Sequence, residues 1–279
     1  MTLALAFKWP TPHGESVVIC TDTRVTIGDH GNWIVSETRK IHSIISDNNK
    51  YLGIISGAGD LVLIKWACEV ADKVMKEYAG EDGLIFFDEV RQAVRKMEEI
   101  FMDRFSRLLT MGIEPEFELV LSSVDLDGKA SLYQFDYRGL AEPVHNSPGC
   151  AIIGSGAING GILLLKLLGY PFVIRDLSDL EYFSEIEPDI LATFILDVVS
   201  QVDPSVGSFV GECFKLEVIE ENGEKRVDFK RFNPKAVIQN KLKVAQRIEL
   251  IRYLWRLCDK KGEDKVRKAL DKLMSGELD

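Results

Sequence analysis

The chain has 279 residues, 46% of them hydrophobic and 28% charged, with a formal net charge of −10. That length supports a sizeable core in one large domain or two modest ones. The acidic balance argues against a binder of phosphate backbones, which shows a basic face. No run approaches the roughly 20 apolar residues that span a bilayer, and MTLALAF lacks the basic segment of a secretory signal. The expectation is a cytoplasmic protein with no membrane or nucleic-acid partner. Cys20, Cys68, Cys150, Cys213 and Cys258 are scattered and mostly lie in apolar runs, so they read as buried reduced thiols. There is no CxxC and no paired-histidine spacing, so neither a metal site nor a cofactor is expected.

In chain order, strands are predicted over about 2–9, 16–22, 33–36, 40–46 and 51–56. The first alternates Leu3, Leu5 and Phe7 against Ala4, Ala6 and Lys8, as a half-buried strand does. GAGD leads into a helix, LVLIKWACEVADKVMKEY, and a second follows over roughly 86–109 with Val90, Val94, Met97, Phe101 and Phe105 on one face. ELVLSSVDLDGKASLYQFD reads as a hairpin turning at Asp127-Gly128. AIIGSG is a short strand entering a third helix, ILLLKLLGY, and Pro188 sits near the first turn of a fourth, DILATFILDVVSQ. A last strand pair turns around Glu221-Asn222-Gly223. Beyond Phe232 come a long helix to about Cys258 and a shorter one with Val266, Leu270, Leu273 and Met274 on one stripe. Strand runs separated by helix pairs predict an α+β fold, two antiparallel sheets between helix layers. The domain reading is 1–232 for this unit and 233–279 for a helical extension.

Why an apolar strand should begin at residue 2 is a chemical question. Thr2 would become the first residue if Met1 were removed. Its hydroxyl is a weak nucleophile, but its own α-amine, with an unperturbed pKa near 8, is a base at hand. Read together, TLALAFK, CTDTRVT, SETRKIHSI and YLGIISGAGD resemble the opening of proteasome β-subunits and their bacterial relatives of the Anbu and HslV kind, the N-terminal-nucleophile (Ntn) hydrolases. AIIGSGAINGG resembles that family's Gly-Ser-Gly turn, and VDPSVGSFVGECFKLEVI its aspartate-containing loop before a late strand. The resemblance covers residues 2 to about 219 and implies a four-layer αββα sandwich.

It also implies a threonine peptidase. Thr2 would be the nucleophile, Asp22 and Lys40 a pair easing proton removal, and Ser155 and Asp203 groups that orient the amine. Gly57, with Ser56 as the alternative, would present a backbone N–H to the oxyanion, and the main chain of Thr26 would pair with the substrate. The family pattern has a serine three residues after the aspartate. This chain has Val206 there, leaving Ser205 or Ser208 to fill the role. WPTPHG, residues 9–14, lengthens the first hairpin and is expected at a rim. Implied partners are a peptide or protein substrate, further copies of the chain in a ring or open spiral, and an unfolding ATPase.

Two other readings compete. A non-catalytic ring or scaffold subunit could keep the same fold, because fold does not settle activity. Gly154 and Gly156, followed by Asp176 about 20 residues on, also resemble a dinucleotide fingerprint of an oxidoreductase. Its third glycine position holds Asn159, however, and the strand-rich first half does not alternate β and α.

Overall fold

The computed structural model describes residues 3–22, 24–27, 34–37, 40–146, 149–157, 188–207, 210–232 and 234–274. Its described strands are β1 (Ala4–Thr11), β2 (Gly14–Asp22), β3 (Arg24–Ile27), β4 (Ile34–Glu37), β5 (Ile41–Ile45), β6 (Tyr51–Gly59), β7 (Phe117–Val124), β8 (Ala130–Phe135), β9 (Ala141–Pro143), β10 (Cys150–Ile153), β11 (Val210–Glu221) and β12 (Glu224–Arg231). The described helices are α1 (Leu61–Tyr78), α2 (Phe87–Thr110), α3 (Pro188–Val202), α4 (Pro234–Lys261) and α5 (Glu263–Met274). The third predicted helix, ILLLKLLGY, lies outside the described residues.

Two five-stranded antiparallel sheets form the centre, in the orders β10-β1-β2-β11-β12 and β5-β6-β7-β8-β9, with β3 and β4 as a separate ribbon. Three apolar layers hold the stack. Ala67, Ala71 and Met75 of α1, with Val94, Met97 and Phe101 of α2, pack on Leu52, Ile55, Leu119 and Phe135 of the second sheet. Ala4, Ala6, Ile19, Ile54, Val120 and Leu132 fill the space between the sheets. Leu191, Ile195, Leu196 and Val199 of α3 cover Leu3, Leu5, Phe7 and Val18 on the far side. The result is the four-layer αββα sandwich.

Local chemistry sets the element ends. Asp60 caps α1 by accepting from the N–H groups of Val62 and Leu63 at 2.7 and 3.2 Å. The turn between β11 and β12 places Asn222 and Gly223 at φ of 56° and 83°, the paired left-handed residues of a tight hairpin.

Several expectations change. The first strand is not half-buried: Ala4 and Ala6 are as closed off as Leu3 and Leu5, because β1 has α3 on one face and the second sheet on the other. Small alanines let the sheets approach; the alternation reported side-chain size rather than exposure. WPTPHG carries the paired strands of the first hairpin on to Thr11 and Gly14 and buries Trp9. β6 continues to Gly59 instead of ending at 56. The α5 stripe buries Val266, while Leu270 is exposed. The cysteines are not all free thiols. β11 returns beside β2 with Cys213 opposite Cys20, and a disulfide joins them across 193 residues of chain. Strand register made that pair, and sequence spacing does not reveal register.

Candidate functional site

Polar groups from both sheets gather around Leu3, the first described residue. β1 and β2 end together there: Asp22 donates its N–H to the Leu3 carbonyl at 3.1 Å, and Leu3 donates its own to Asp22 Oδ1 at 3.0 Å. The Asp22 carboxylate is 1% exposed. It also accepts from Lys40 Nζ at 2.7 Å on Oδ1 and from the Gly207 N–H at 2.9 Å on Oδ2. A buried charge is tolerated when it is paired and its remaining lone pairs are satisfied. Three donors from three segments do that here.

Lys40 immediately precedes β5, with 7% of its surface exposed. Burial pulls its pKa down from the ordinary lysine value, and the charge and hydrogen bond of Asp22 pull it partly back. Its backbone is held on both sides. The buried Ser56 hydroxyl donates to the Lys40 carbonyl at 2.9 Å, and Glu212 Oε2 accepts from the N–H groups of Lys40 and Ile41 at 3.2 and 3.3 Å.

Glu212 was not singled out in the sequence. It follows a β-bulge, where Val210 pairs with Asp22 and Glu212 with Thr21, so Gly211 is the extra residue. From there the strand alternates regularly, and Glu212 shares the face of Phe214, Leu216 and Val218 toward the layer between the sheets. It is 7% exposed and ties β11 to the start of β5. The signal available was an acidic residue in phase with Phe214, Leu216 and Val218, the apolar face of its strand.

Ser155 and Asp203 meet through Ser205. The Ser155 and Ser205 hydroxyls are 2.8 Å apart, and Ser205 donates its hydroxyl and its N–H to Asp203 Oδ1 at 2.5 and 2.9 Å. Val206 turns into the apolar layer under α3, and Ser208 lies outside the described residues. The same loop brings Gly207 to Asp22, so residues 203–207 link the two polar groups. Gly156 closes the arrangement against Leu3: a Cβ at 156 would meet the Leu3 side chain at 2.9 to 3.1 Å.

Gly57 lies on β6 where β5 has already ended; the last β5 residue toward Lys40 is Ile41, opposite Ser56. Among the described residues, no strand pairs with the β5-side edge of β6 beyond Ser56. A Cβ at 57 would meet Ile64 at 2.8 Å, so glycine is needed there for helix packing whatever else its N–H does. Thr26 lies on β3 opposite Val35, in the separate ribbon. Thr2 lies outside the described residues.

The fold is shared with solved structures. Anbu from Hyphomicrobium sp. strain MC1, as a Gly-1 mutant, superposes with a TM-score of 0.62 at 14% identity, over 92% of this chain and 97% of that one. Anbu from Yersinia bercovieri, described as an ancestral β-subunit, gives 0.61 at 13% identity over 90% and 97%. The fold is that of the proteasome-like Ntn hydrolases. At such identities the likeness concerns architecture alone. No family model matches the sequence, and no curated protein does either.

This architecture overturns the dinucleotide reading. β10 pairs antiparallel with β1 at a sheet edge, whereas that fingerprint needs a parallel strand. A carboxylate already occupies the turn, because Glu118 Oε2 accepts the Gly154 N–H at 2.6 Å, where a phosphate would have to bind. Among the described residues, no three His, Cys, Asp or Glu side chains converge to hold a metal, and no helix is long and apolar enough to cross a membrane.

Proposed function

We propose that this chain is a threonine-type peptidase whose nucleophile is Thr2, freed by removal of Met1. The observation that carries the reading is the tie of Leu3 N–H to the buried Asp22–Lys40 pair at 3.0 Å. The residue bonded to that nitrogen is Thr2, so the pair lies one peptide unit from the proposed nucleophile. A lysine whose pKa is lowered by burial suits proton handling near neutrality, and Asp22 holds it in place.

In this mechanism the Thr2 hydroxyl loses its proton toward the α-amine, with Lys40 stabilising the developing alkoxide, and attacks the substrate carbonyl. The Gly57 N–H steadies the oxyanion. The tetrahedral intermediate collapses to an acyl ester on Thr2, the leaving amine takes up the proton, and water releases the acid. Ser155, Ser205 and Asp203 form a hydrogen-bonded chain that orients the amine. An extended substrate would pair with the main chain around Thr26 and the open edge of β6.

Residues 1–232 form the catalytic unit in this reading, with 233–279 as an extension. Self-association belongs to the same proposal: α4 leaves Leu250 and Tyr253, about one turn apart, 56% and 62% exposed, a face that a second copy would cover. A cytoplasmic location fits a peptidase that works on unfolded chains. The reading is tested by hydrolysis of fluorogenic peptides. The wild-type chain cleaves them and Thr2→Ala, expressed alongside, does not; equal rates from the two would refute it.

A further inference from the structure

A second cluster of functional groups lies away from Leu3, where α2 crosses β8 and β9. A cavity of about 420 Å³ opens there. Arg91, Arg95 and Glu98 enter it from one stripe of α2, four and three residues apart. Two arginines at that spacing repel each other on a bare helix, so the arrangement suits something negative between them. Lys129 adds a third cation from the β7–β8 turn, its Nζ 3.6 Å from the Phe87 ring centroid.

The charges are only partly answered. Arg91 pairs with Asp88 at 3.1 Å, but that carboxylate side chain is 73% exposed, and such pairs hold weakly. Glu98 is occupied by the Ala141 N–H at 2.8 Å. Arg95 and Lys129 have no carboxylate partner among the described residues. In a chain of net charge −10, three cations gathered against the carboxylates of Asp88 and Glu98 are out of character.

The floor carries a separate indication. Tyr133 is 4% exposed and lines the cavity, and its hydroxyl has no hydrogen-bond partner among the described residues. Among the described residues, Thr21 Oγ1, Ser122 Oγ and Ser131 Oγ are the polar side-chain atoms buried without a partner, so the Tyr133 hydroxyl opens onto the cavity, where it can donate to a bound group. Its ring and that of Phe87 flank His145, at centroid separations of 5.2 and 5.1 Å. His145 is fixed in turn by Nδ1 against the Leu132 carbonyl at 3.2 Å. The floor therefore carries a phenolic O–H in the cavity that Arg91 and Arg95 also line.

We propose that this cavity binds a phosphate group, free or carried as the ester of a small molecule. Arg91 and Arg95 offer forked donors to its oxygens, Lys129 a point charge, and Tyr133 a short neutral hydrogen bond. The aromatic wall of Phe87 leaves room for an organic substituent. None of these residues belongs to the cluster around Leu3, so the site stands whether or not the chain is a peptidase.

Isothermal titration of the full chain at low salt, with inorganic phosphate and separately with adenosine monophosphate, tests it. Saturable binding is expected. Arg95→Glu, an exposed position that leaves the core untouched, weakens it at least about tenfold, and Tyr133→Phe about threefold. Lys129→Glu gives a second loss from a different element, while Arg104→Glu, whose guanidinium lies over Trp66 outside the cavity, leaves binding unchanged. Tighter binding of the ester identifies a small-molecule ligand, and equal binding identifies free phosphate. Absence of heat with both probes, acetate binding as well as phosphate, or Arg95→Glu binding like wild type would overturn the proposal.

Discussion

The layer beneath α1 and α2 and the cluster around Leu3 are both closed to water, yet they are built from opposite materials. The first is aromatic and aliphatic. Phe101 is fully buried, with ring centroids of Trp66, Phe135 and Phe117 at 5.4, 5.2 and 5.7 Å. The second buries Asp22, Lys40 and Glu212, hydrogen-bonded across segments, and Asp203, held by Ser205 of its own loop. Apolar burial drives folding without regard to direction, whereas buried charges are costly and directional. The aromatic layer thus supplies stability that offsets the cost of burying the polar cluster. Substitutions in the two regions should therefore fail in different ways.

The largest expected effect is on reactivity. Lys40→Met removes the ammonium from Asp22 and should lower peptide hydrolysis by about 10²–10⁴-fold, the range for a lost proton-transfer group. A Lys40→Met chain that hydrolyses peptides normally would break the contrast at its polar end. Phe101→Ala should do the reverse, costing about 3–5 kcal/mol in urea denaturation while the folded fraction keeps its turnover at low temperature. A loss of turnover without a loss of stability would show the layers to be coupled.

Glu212→Ala sharpens the comparison, because it strands two buried N–H groups. The expectation is about 1–3 kcal/mol of lost stability, with roughly tenfold slower turnover as Lys40 loses its anchor. Glu212→Gln keeps an acceptor and should restore most of both; failure of glutamine to rescue would mean that charge rather than anchoring matters. The smallest effect is on pH dependence. Lys40 has a folded pKa below its unfolded value, so the unfolded chain binds more protons between the two. Unfolding free energy therefore rises with pH through that window up to about 10.5, and the increment is lost as pH falls through the folded value. Urea midpoints from pH 7 to 10 should climb less for Lys40→Met than for wild type, and parallel curves would contradict the shift.

The sequence disclosed the apolar layer almost completely. Val90, Val94, Met97, Phe101 and Phe105 lie at helical spacing, and all are buried. Periodicity reports a face, and one helix face is a local property. The polar cluster was legible only in fragments, because its members come from segments up to 185 residues apart, as Asp22 and Gly207 are. The Cys20–Cys213 pairing and the place of Glu212 beside Lys40 depend on the register of β11 against β2. A slip of one residue moves a strand's side chains to its other face, and no spacing within β11 reports which strand it joins. Ser205 against Ser208 was open for the same reason: the loop after α3 has no period to read. Helix α4 was visible from Asn233-Pro234, but the face it leaves exposed was not.

The proposed chemistry makes Thr2 its own nucleophile and base beside Asp22 and Lys40. Intact-mass analysis of the purified chain, before and after treatment with a peptide epoxyketone, tests it most directly, since that reagent needs the free amine and the hydroxyl of one residue. The account predicts a chain lacking Met1 that gains one stoichiometric adduct on Thr2, and no adduct with Lys40→Met. A wild-type chain that starts at Thr2, remains folded and stays unmodified by the reagent would contradict it.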